Sequence, residues 1–191
     1  MAFAGRPLPA LPLLLALLLA ARGQPGGEPP LAGARIGGPF QLTNQDGARV
    51  TDAALAGKYR LMYFGYTYCP DVCPTDLALM TAGLNAFEKR DPKRAAKIQP
   101  VFVSIDPARD TPSQMKTYLK AFHARLIGLT GTPAEIAAVA RAYGVPYNKG
   151  EGTGDAYLMN HGNQIYLMGP DGAPISLMPT EAGKGPKDFP D

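Results

Sequence analysis

The stretch Leu61–Pro74, LMYFGYTYCPDVCP, decides the fold and contains both cysteines of the chain, Cys69 and Cys73. Its first four residues form a short apolar block that ends at Gly65, which predicts a buried strand rather than a helix. From Thr75 onward the pattern predicts a helix. The two sulfur atoms are therefore expected at the N-terminal end of a helix, where the helix dipole favours thiolates.

The spacing of this pair leaves its chemistry open. Three residues separate Cys69 from Cys73, whereas thioredoxins place two between their cysteines. If the second half of the motif is helical, sulfur atoms at i and i+4 lie on one face and can share one ion. The longer spacing fits a metal chelate better than a tight redox disulfide, although it does not forbid the disulfide.

The composition is that of one ordinary domain. The chain has 191 residues, of which 46% are hydrophobic, and it is too short for two comfortable domains. Without Arg6 and Arg22, which lie in the segment discussed next, 17 basic residues face 16 acidic ones, a net charge of +1. The sequence has no basic stripe with interleaved aromatic residues, so nucleic acid is not an expected partner.

Residues 1–23 predict a signal peptide or membrane anchor. Arg6 supplies a minimal positive region, and Leu11–Ala21 forms an apolar run. This run is shorter than the roughly 20 residues that span a bilayer, which favours a cleaved signal and leaves an uncleaved anchor as the alternative. Either way we expect an exported domain, preceded by a flexible tether at residues 24–34.

Export affects the interpretation of the cysteines. In an oxidising compartment a cysteine pair defaults to a structural disulfide. A bridge between Cys69 and Cys73 would close a loop of only a few residues and would constrain the unfolded chain little. This favours redox or metal chemistry over a purely structural bridge.

Strands and helices alternate along the remaining chain, which predicts a mixed α/β sheet with helices on both faces. An early β-hairpin precedes the core. The predicted strands are Phe40–Thr43, Arg49–Thr51, Arg60–Gly65, Pro100–Ile105, Leu126–Leu129, Tyr157–Asn160, Gln164–Met168 and Ala173–Met178. The predicted helices are Thr75–Arg90, one that runs from Thr111 to about Phe122, and one from Thr132 to Gly144.

The ends of this domain are set by composition. We expect it to span residues 35–178, with a Gly-rich loop at Gly150–Gly154. Residues 179–191 are too rich in proline and glycine to form a helix and are expected to be an irregular tail.

The loop before the second helix carries two acidic residues and a helix cap. Thr111 is a natural N-cap, and Gln114 is expected to complete a capping box with it. Asp106 and Asp110 could form a metal site or an acid–base pair. Capping and loop hydrogen bonds are the favoured interpretation.

The sequence contains two histidines. We interpret His123 as a solvated surface residue. His161 follows the Gly-rich loop, where the last strands of a thioredoxin-like sheet come close to the N-terminus of the first helix. Two thiolates and one imidazole form a soft set that suits Cu(I), and Cu(II) less well, whereas zinc normally takes a fourth ligand.

Methionines and tyrosines near these motifs have ordinary explanations. Met159 and Met168 are isolated and are predicted to be core residues. Tyr63, Tyr66 and Tyr68 could line the cysteine site, although packing in the core and at its rim is the favoured interpretation.

Four collinear blocks of the sequence resemble the Sco/SenC family of copper chaperones. The blocks run from Tyr63 to Leu77, from Val101 to Pro112, from Leu126 to Val145 and from Asp155 to Gly172. The resemblance implies a thioredoxin-like fold and a copper ion held by Cys69, Cys73 and His161. It also implies a role in assembling the binuclear copper centre of cytochrome c oxidase subunit II, in the periplasm or on the inner membrane facing it. Another periplasmic copper chaperone and the membrane surface are further expected partners.

Two features depart from the family pattern. Family members usually have an aspartate just before the ligand histidine, where this chain has Asn160. They also usually end in a helix packed on the sheet, which residues 179–191 do not favour.

On these grounds we expect a copper chaperone rather than an enzyme. The alternative is a thiol–disulfide oxidoreductase in which Cys69 and Cys73 cycle and keep the copper-site cysteines of the partner reduced. His161 separates the two hypotheses, because metal ligation needs it and dithiol exchange does not.

Overall fold

The computed structural model describes Met1 and residues 27–179. The predicted signal peptide or anchor lies outside these residues, apart from Met1, as do the first part of the predicted tether and the predicted tail after Pro179. The described residues from Pro29 onward belong to one compact unit. In this part of the chain no helix is long and apolar enough to cross a membrane.

The described chain contains nine strands and four helices. The strands are β1 (Gln41–Asn44), β2 (Arg49–Thr51), β3 (Tyr59–Gly65), β4 (Ile98–Ser104), β5 (Ile127–Thr130), β6 (Tyr147–Thr153), β7 (Ala156–His161), β8 (Ile165–Met168) and β9 (Pro174–Met178). The helices are α1 (Val72–Arg90), α2 (Pro92–Ala95), α3 (Pro112–Leu119) and α4 (Pro133–Ala142). A single 3-10 turn, Ala53–Leu55, follows β2.

Seven strands form the central sheet, in the order β2-β1-β5-β4-β3-β8-β9. Strands β3, β4 and β5 run parallel, and antiparallel strands complete the sheet on both sides. The predicted mixed α/β sheet and the early hairpin are thus confirmed.

The core lies around β3 and β4. In β3 every residue from Arg60 to Gly65 is buried, and in β4 the same holds from Gln99 to Ser104. Because successive side chains of a strand point to opposite faces, both faces of the sheet are covered here. These two strands therefore give a rigid base for the loops at their carboxyl ends.

Helix α1 begins at Val72, three residues before the predicted start at Thr75. Pro74 is tolerated in the first turn because the backbone N–H groups there have no partner within the helix. The earlier start places Cys73 inside the helix and leaves Cys69 in the loop that precedes it.

The predicted Gly-rich loop is wrong in its position. Most of Gly150–Gly154 belongs to β6, which pairs with β7 in a separate two-stranded sheet. The pairing has an irregularity between Lys149 and Gly152, and Gly152 has a φ of +121° that suits glycine. Glycines that look like loop residues in the sequence here allow a bulged hairpin.

The N-terminus of α3 differs from the prediction. The Thr111 side chain accepts from the Gln114 N–H as expected, but no reciprocal capping box forms. Instead, the Gln114 side-chain amide donates to Thr67 Oγ1 at 3.1 Å, which links α3 to the loop before the cysteines. Helix α4 has the complete capping box, formed by Thr132 and Glu135.

The interpretation of His123 as a solvated residue is wrong. Its side chain is buried, and its Nε2 lies 3.3 Å from Glu88 Oε2. Arg125 contacts the same carboxylate and also donates to the Ile98 carbonyl oxygen at 2.7 Å. Both side chains are neighbours of one acidic residue in the second half of α1, a contact that periodicity alone does not show.

Candidate metal centre

Three side chains from three different elements meet at the carboxyl end of β3. Cys69 lies in the loop after β3, Cys73 in the first turn of α1, and His161 at the end of β7. One ligand atom from each lies within 4.8 Å of the other two. Cys73 Sγ is 3.3 Å from His161 Nε2. The structure therefore brings together all three residues predicted to hold a metal.

A glycine at the end of β3 makes room for the buried sulfur. A Cβ atom at position 65 would lie 3.0 Å from Cys73 Sγ and 3.1 Å from the Phe102 ring. Contacts this short would force a neighbour to move. Gly65 thus lets the first turn of α1 lie close to the strand, and Cys73 is fully buried as a result.

The environment of Cys69 favours a thiolate. The Cys73 backbone N–H points to Cys69 Sγ at 3.3 Å, as expected for an anion at a helix N-terminus. The hydrogen bond from the Cys73 thiol, with help from His161 and this N–H, holds the pKa of Cys69 well below its usual range. The same hydrogen bond, together with burial, raises the pKa of Cys73. The two sulfurs therefore differ: Cys69 is partly exposed and has a lowered pKa, whereas Cys73 is buried and has a raised pKa.

His161 is oriented as a ligand through Nε2. Its Nδ1 lies 2.8 Å from the Gly162 carbonyl oxygen, which can only accept a hydrogen bond. Nδ1 must therefore carry a proton, and in the neutral ring the Nε2 lone pair faces the sulfurs. Burial alone would lower the pKa of His161. The interactions with Cys69 and with the Gly162 carbonyl outweigh it and raise that pKa.

Aromatic rings enclose the histidine. Tyr63 and Tyr66 are buried and both contact the His161 ring edge-on, with centroid distances of 6.5 and 5.8 Å. Tyr68 is half exposed at the rim. The favoured interpretation as core residues holds for Tyr63 and Tyr66, which also line the site.

A buried carboxylate beneath the site was missed by sequence reasoning. Asp76 is only 4% exposed, and it accepts from the Tyr63 hydroxyl at 3.0 Å. Burial raises the pKa of its carboxyl group. The available signal was a charged residue beside Leu77 on the apolar stripe of α1, three positions after Cys73.

Asp110 fixes the loop that carries Cys69. Its carboxylate is fully buried and accepts from the Thr67 N–H at 3.2 Å, the Thr67 hydroxyl at 2.6 Å and the Ser104 hydroxyl at 2.6 Å. Thr67 is two residues before Cys69. The hydrogen-bonding role predicted for Asp110 accounts for all three of these contacts.

Asn160 does not orient the histidine in the way that a carboxylate could. It is exposed on β7 opposite Asn148 of β6, and a Cβ at Gly150 would lie 3.2 Å from its side-chain nitrogen. The outer hydrogen bond of His161 goes to the Gly162 backbone instead. A backbone acceptor of this kind fixes the ring tautomer as a carboxylate does.

Two sulfurs and one imidazole nitrogen form a soft donor set of low coordination number. Such a set suits Cu(I), and Cys69 is the more exposed of its two sulfurs. Met168 and Met159 belong to the core or pack against it, as predicted. Met168 is fully buried, and Met159 packs against the core.

Comparison with known proteins identifies the family. The SCO1/SenC family model matches residues 28–187, well over half of the chain. The chain belongs to the SCO1/SenC family. Over 145 residues it is 48% identical to an Arabidopsis thaliana relative, the mitochondrial Protein SCO1 homolog 1, and this match covers 75% of the chain and 42% of the relative. The chain spans about half the length of the curated relatives it matches.

Solved structures of Sco proteins share the fold. ScoI of Bradyrhizobium japonicum with copper bound is 48% identical, with a TM-score of 0.71, and the match covers 76% of this chain and 90% of that one. Arabidopsis thaliana ScoI with copper bound is 44% identical, with a TM-score of 0.69 and coverage of 74% and 86%. These neighbours confirm the predicted thioredoxin-like fold.

Proposed function

We propose that this protein is an exported copper chaperone. Cys69, Cys73 and His161 hold the ion, and the protein delivers it to the binuclear copper centre of cytochrome c oxidase subunit II. The observation that carries the proposal is the meeting of two sulfurs and the Nε2 atom within 4.8 Å, with the other ring nitrogen already bound to a backbone carbonyl. The copper-bound relatives, at 48% and 44% identity, support the choice of metal.

The site is suited to taking up and releasing Cu(I). Metal ligands bind in their deprotonated forms, so Cys69, Cys73 and the Nε2 atom of His161 give up any proton they carry when the ion binds. Cys69 is the half-exposed ligand and is the first that a partner's thiolate can replace. Stepwise ligand replacement then passes the ion to a partner that also offers sulfur. Cu(II) is the second state that the same ligands would hold, although it prefers harder donors.

The proposed location follows from the export signal expected in residues 1–23. We place the protein in the periplasm or on the inner membrane facing it, with the membrane surface as a neighbour. Another periplasmic copper chaperone is a candidate donor of the ion. Nucleic acid is not a proposed partner.

A copper-transfer experiment tests this proposal. The reduced, Cu(I)-loaded protein is mixed with the reduced, metal-free soluble domain of subunit II, and the copper content of each protein is measured after the two are separated. We expect transfer from the wild type and a strong loss of transfer with His161→Ala. Failure of the loaded wild-type protein to give up copper to a reduced acceptor would contradict the proposal.

A second candidate function is supported by the difference in exposure and pKa between Cys69 and Cys73. An exposed thiolate beside a buried thiol is the arrangement of a thiol–disulfide oxidoreductase. The Cys69 thiolate would attack a partner's disulfide and form a mixed disulfide, which Cys73 would resolve. The partner would gain two electrons and two protons, and this protein would be left with a Cys69–Cys73 disulfide. In that case His161→Ala would retain activity on the oxidised subunit II domain.

A further inference from the structure

The hairpin that carries His161 lies outside the central sheet and depends on other contacts. Strands β6 and β7 pair only with each other, and most of their residues are exposed or half-exposed. An isolated two-stranded hairpin is at best marginally stable in water. The glycines at positions 150 and 152 of β6 weaken it further. Its order must therefore come from side chains that attach it to the rest of the domain.

Arg109 makes such an attachment at the turn end of the hairpin. Its Nη1 donates to the carbonyl oxygens of Asp155 and Tyr157 at 2.8 and 2.9 Å. Its Nε donates to Asp106 Oδ2 at 2.5 Å, which fixes the guanidinium on the loop between β4 and α3. One planar side chain thus joins the body of the domain to two backbone groups of the hairpin, as the fork of donors in arginine allows.

Aromatic rings hold the same guanidinium in place. The Cζ atom of Arg109 lies 3.6 Å from the ring centroid of Tyr157, 4.8 Å from that of Tyr68 and 5.7 Å from that of Tyr66. The Arg109 side chain is only 8% exposed, so these cation–π contacts are largely shielded from water. Tyr68 adjoins Cys69, and Tyr66 contacts the ring of His161. The guanidinium therefore contacts both halves of the metal centre through their neighbours.

Tyr157 strengthens the attachment. Its hydroxyl donates to Asp106 Oδ1 at 2.8 Å, while Arg109 binds the other oxygen of that carboxylate. Tyr157 is four residues before His161 on β7, about 13 Å along an extended strand. Tyr157 is thus fixed at one end of β7, and the other end continues into β8 of the central sheet. Together these two restraints restrict where His161 can lie.

We propose that Arg109 is a positioning residue that holds the β6–β7 hairpin against the β4–α3 loop and thereby keeps His161 over Cys69 and Cys73. It does not contact the ion. Its effect on metal binding passes mainly through the histidine, and the inference rests on the proposed metal site in that respect. The next residue, Asp110, fixes the cysteine loop, so consecutive residues of one loop hold the two halves of the centre.

A double-variant experiment separates positioning from general stability. Cu(I) affinity is measured by competition with a chromophoric chelator for wild type, Arg109→Gln, His161→Ala and the double variant. We expect Arg109→Gln to weaken binding about tenfold, as loss of the outer partners of a ligand does, but only while the histidine is present. In the His161→Ala background the same substitution should change the affinity little. Equal losses in both backgrounds would overturn the inference, because they would indicate a general structural defect.

Hydrogen–deuterium exchange gives a readout that does not depend on metal. In the reduced apo protein, Arg109→Gln should speed exchange of the amides of residues 147–161 and leave β3 and β4 unchanged. Arg49→Gln is the matched control, since Arg49 also joins a carboxylate, Glu135 at 2.5 Å, to a backbone carbonyl, but away from the site. Hairpin amides that exchange at the wild-type rate in Arg109→Gln would overturn the inference whatever the copper data show.

Two further variants guard against failure to fold. Arg109→Lys keeps the charge but loses the fork and should give an intermediate effect. Tyr157→Phe removes only the hydroxyl bond to Asp106 and should speed hairpin exchange moderately. If His161→Ala leaves Cu(I) affinity unchanged, the proposed metal site fails, while the exchange rates still decide whether Arg109 orders the hairpin.

Discussion

Replacing Asp110 by alanine is expected to destabilise the domain strongly. The substitution leaves three buried donors without an acceptor, namely the N–H and hydroxyl of Thr67 and the hydroxyl of Ser104. Hydrogen bonds to a charged group contribute about 1.5–3 kcal/mol each. Removing the carboxylate also removes the cost of burying it, which is large enough to raise the pKa of Asp110. The net loss in free energy of unfolding should be about 3–5 kcal/mol, the usual cost of leaving a buried polar cluster incomplete.

Urea unfolding of the reduced apo protein, followed by circular dichroism, measures this loss. Asp46→Ala is the matched control, because Asp46 forms an exposed ion pair with Lys116 at 2.8 Å and its removal should cost less than about 1 kcal/mol. Asp110→Asn keeps the shape of the side chain and one acceptor oxygen, so its loss in free energy of unfolding should lie between those of Asp110→Ala and Asp46→Ala. A loss below about 1 kcal/mol for Asp110→Ala, no larger than the control, would refute the view that this carboxylate organises the cysteine loop.

Three further predictions concern the site itself. Because its pKa is lowered, Cys69 should react with iodoacetamide at nearly the same rate at pH 6 as at pH 8, whereas an ordinary thiol of pKa about 8.5 slows roughly 80-fold. Mass spectrometry should find Cys73 unmodified, and slowing of Cys69 to the ordinary extent would contradict the assignment. Asn160→Asp should change Cu(I) affinity less than about threefold, since Nδ1 of His161 already donates to a backbone carbonyl, and a change of about tenfold would show that side chain 160 acts on the ligand. Gly65→Ala should cost about 1–3 kcal/mol in urea unfolding, because its Cβ would lie 3.0 Å from the buried sulfur, and an unchanged midpoint would show that the site has free space there.

The parts of the fold that could be predicted are those set by local pattern. The apolar block before Gly65 gives β3, and the run Pro100–Ile105 gives most of β4, because buried strands are short and rich in apolar residues. The predicted start at Thr132 matches the N-cap of α4, because the capping box that Thr132 forms with Glu135 depends on neighbouring residues only. The cysteine spacing likewise predicted that the two sulfurs could lie close enough to share an ion.

The parts that could not be predicted depend on contacts distant in sequence. His123 looks exposed until Glu88, 35 residues earlier, is placed beside it. Gln114 has the right spacing for a capping box, yet its side chain donates to Thr67, 47 residues away. The roles of Asp76 and Arg109 likewise appear only when the tyrosines around them are placed.

His161 stands between these cases. The position of this residue in the sequence gave it little weight as a ligand. The expected closeness of the last strands to the first helix raised that weight, and the family resemblance then implied ligation. The structure adds the physical reason, which is the hairpin that lies over the cysteines and the Gly162 carbonyl that fixes the ring. The pairing of the Gly-rich strand β6 with β7 could not be predicted from the sequence, because glycine suits both loops and bulged strands.

The most direct test of the central claim is a Cu(I) competition titration of the reduced soluble domain. Wild type is compared with His161→Ala and Cys73→Ser, and His123→Gln serves as the control that removes the other imidazole. We predict one tight equivalent for wild type and the control, and a loss of affinity of about tenfold or more in each site variant. Weak binding that does not depend on His161, from a dithiol that still reduces a partner disulfide, would contradict the chaperone account in favour of the oxidoreductase.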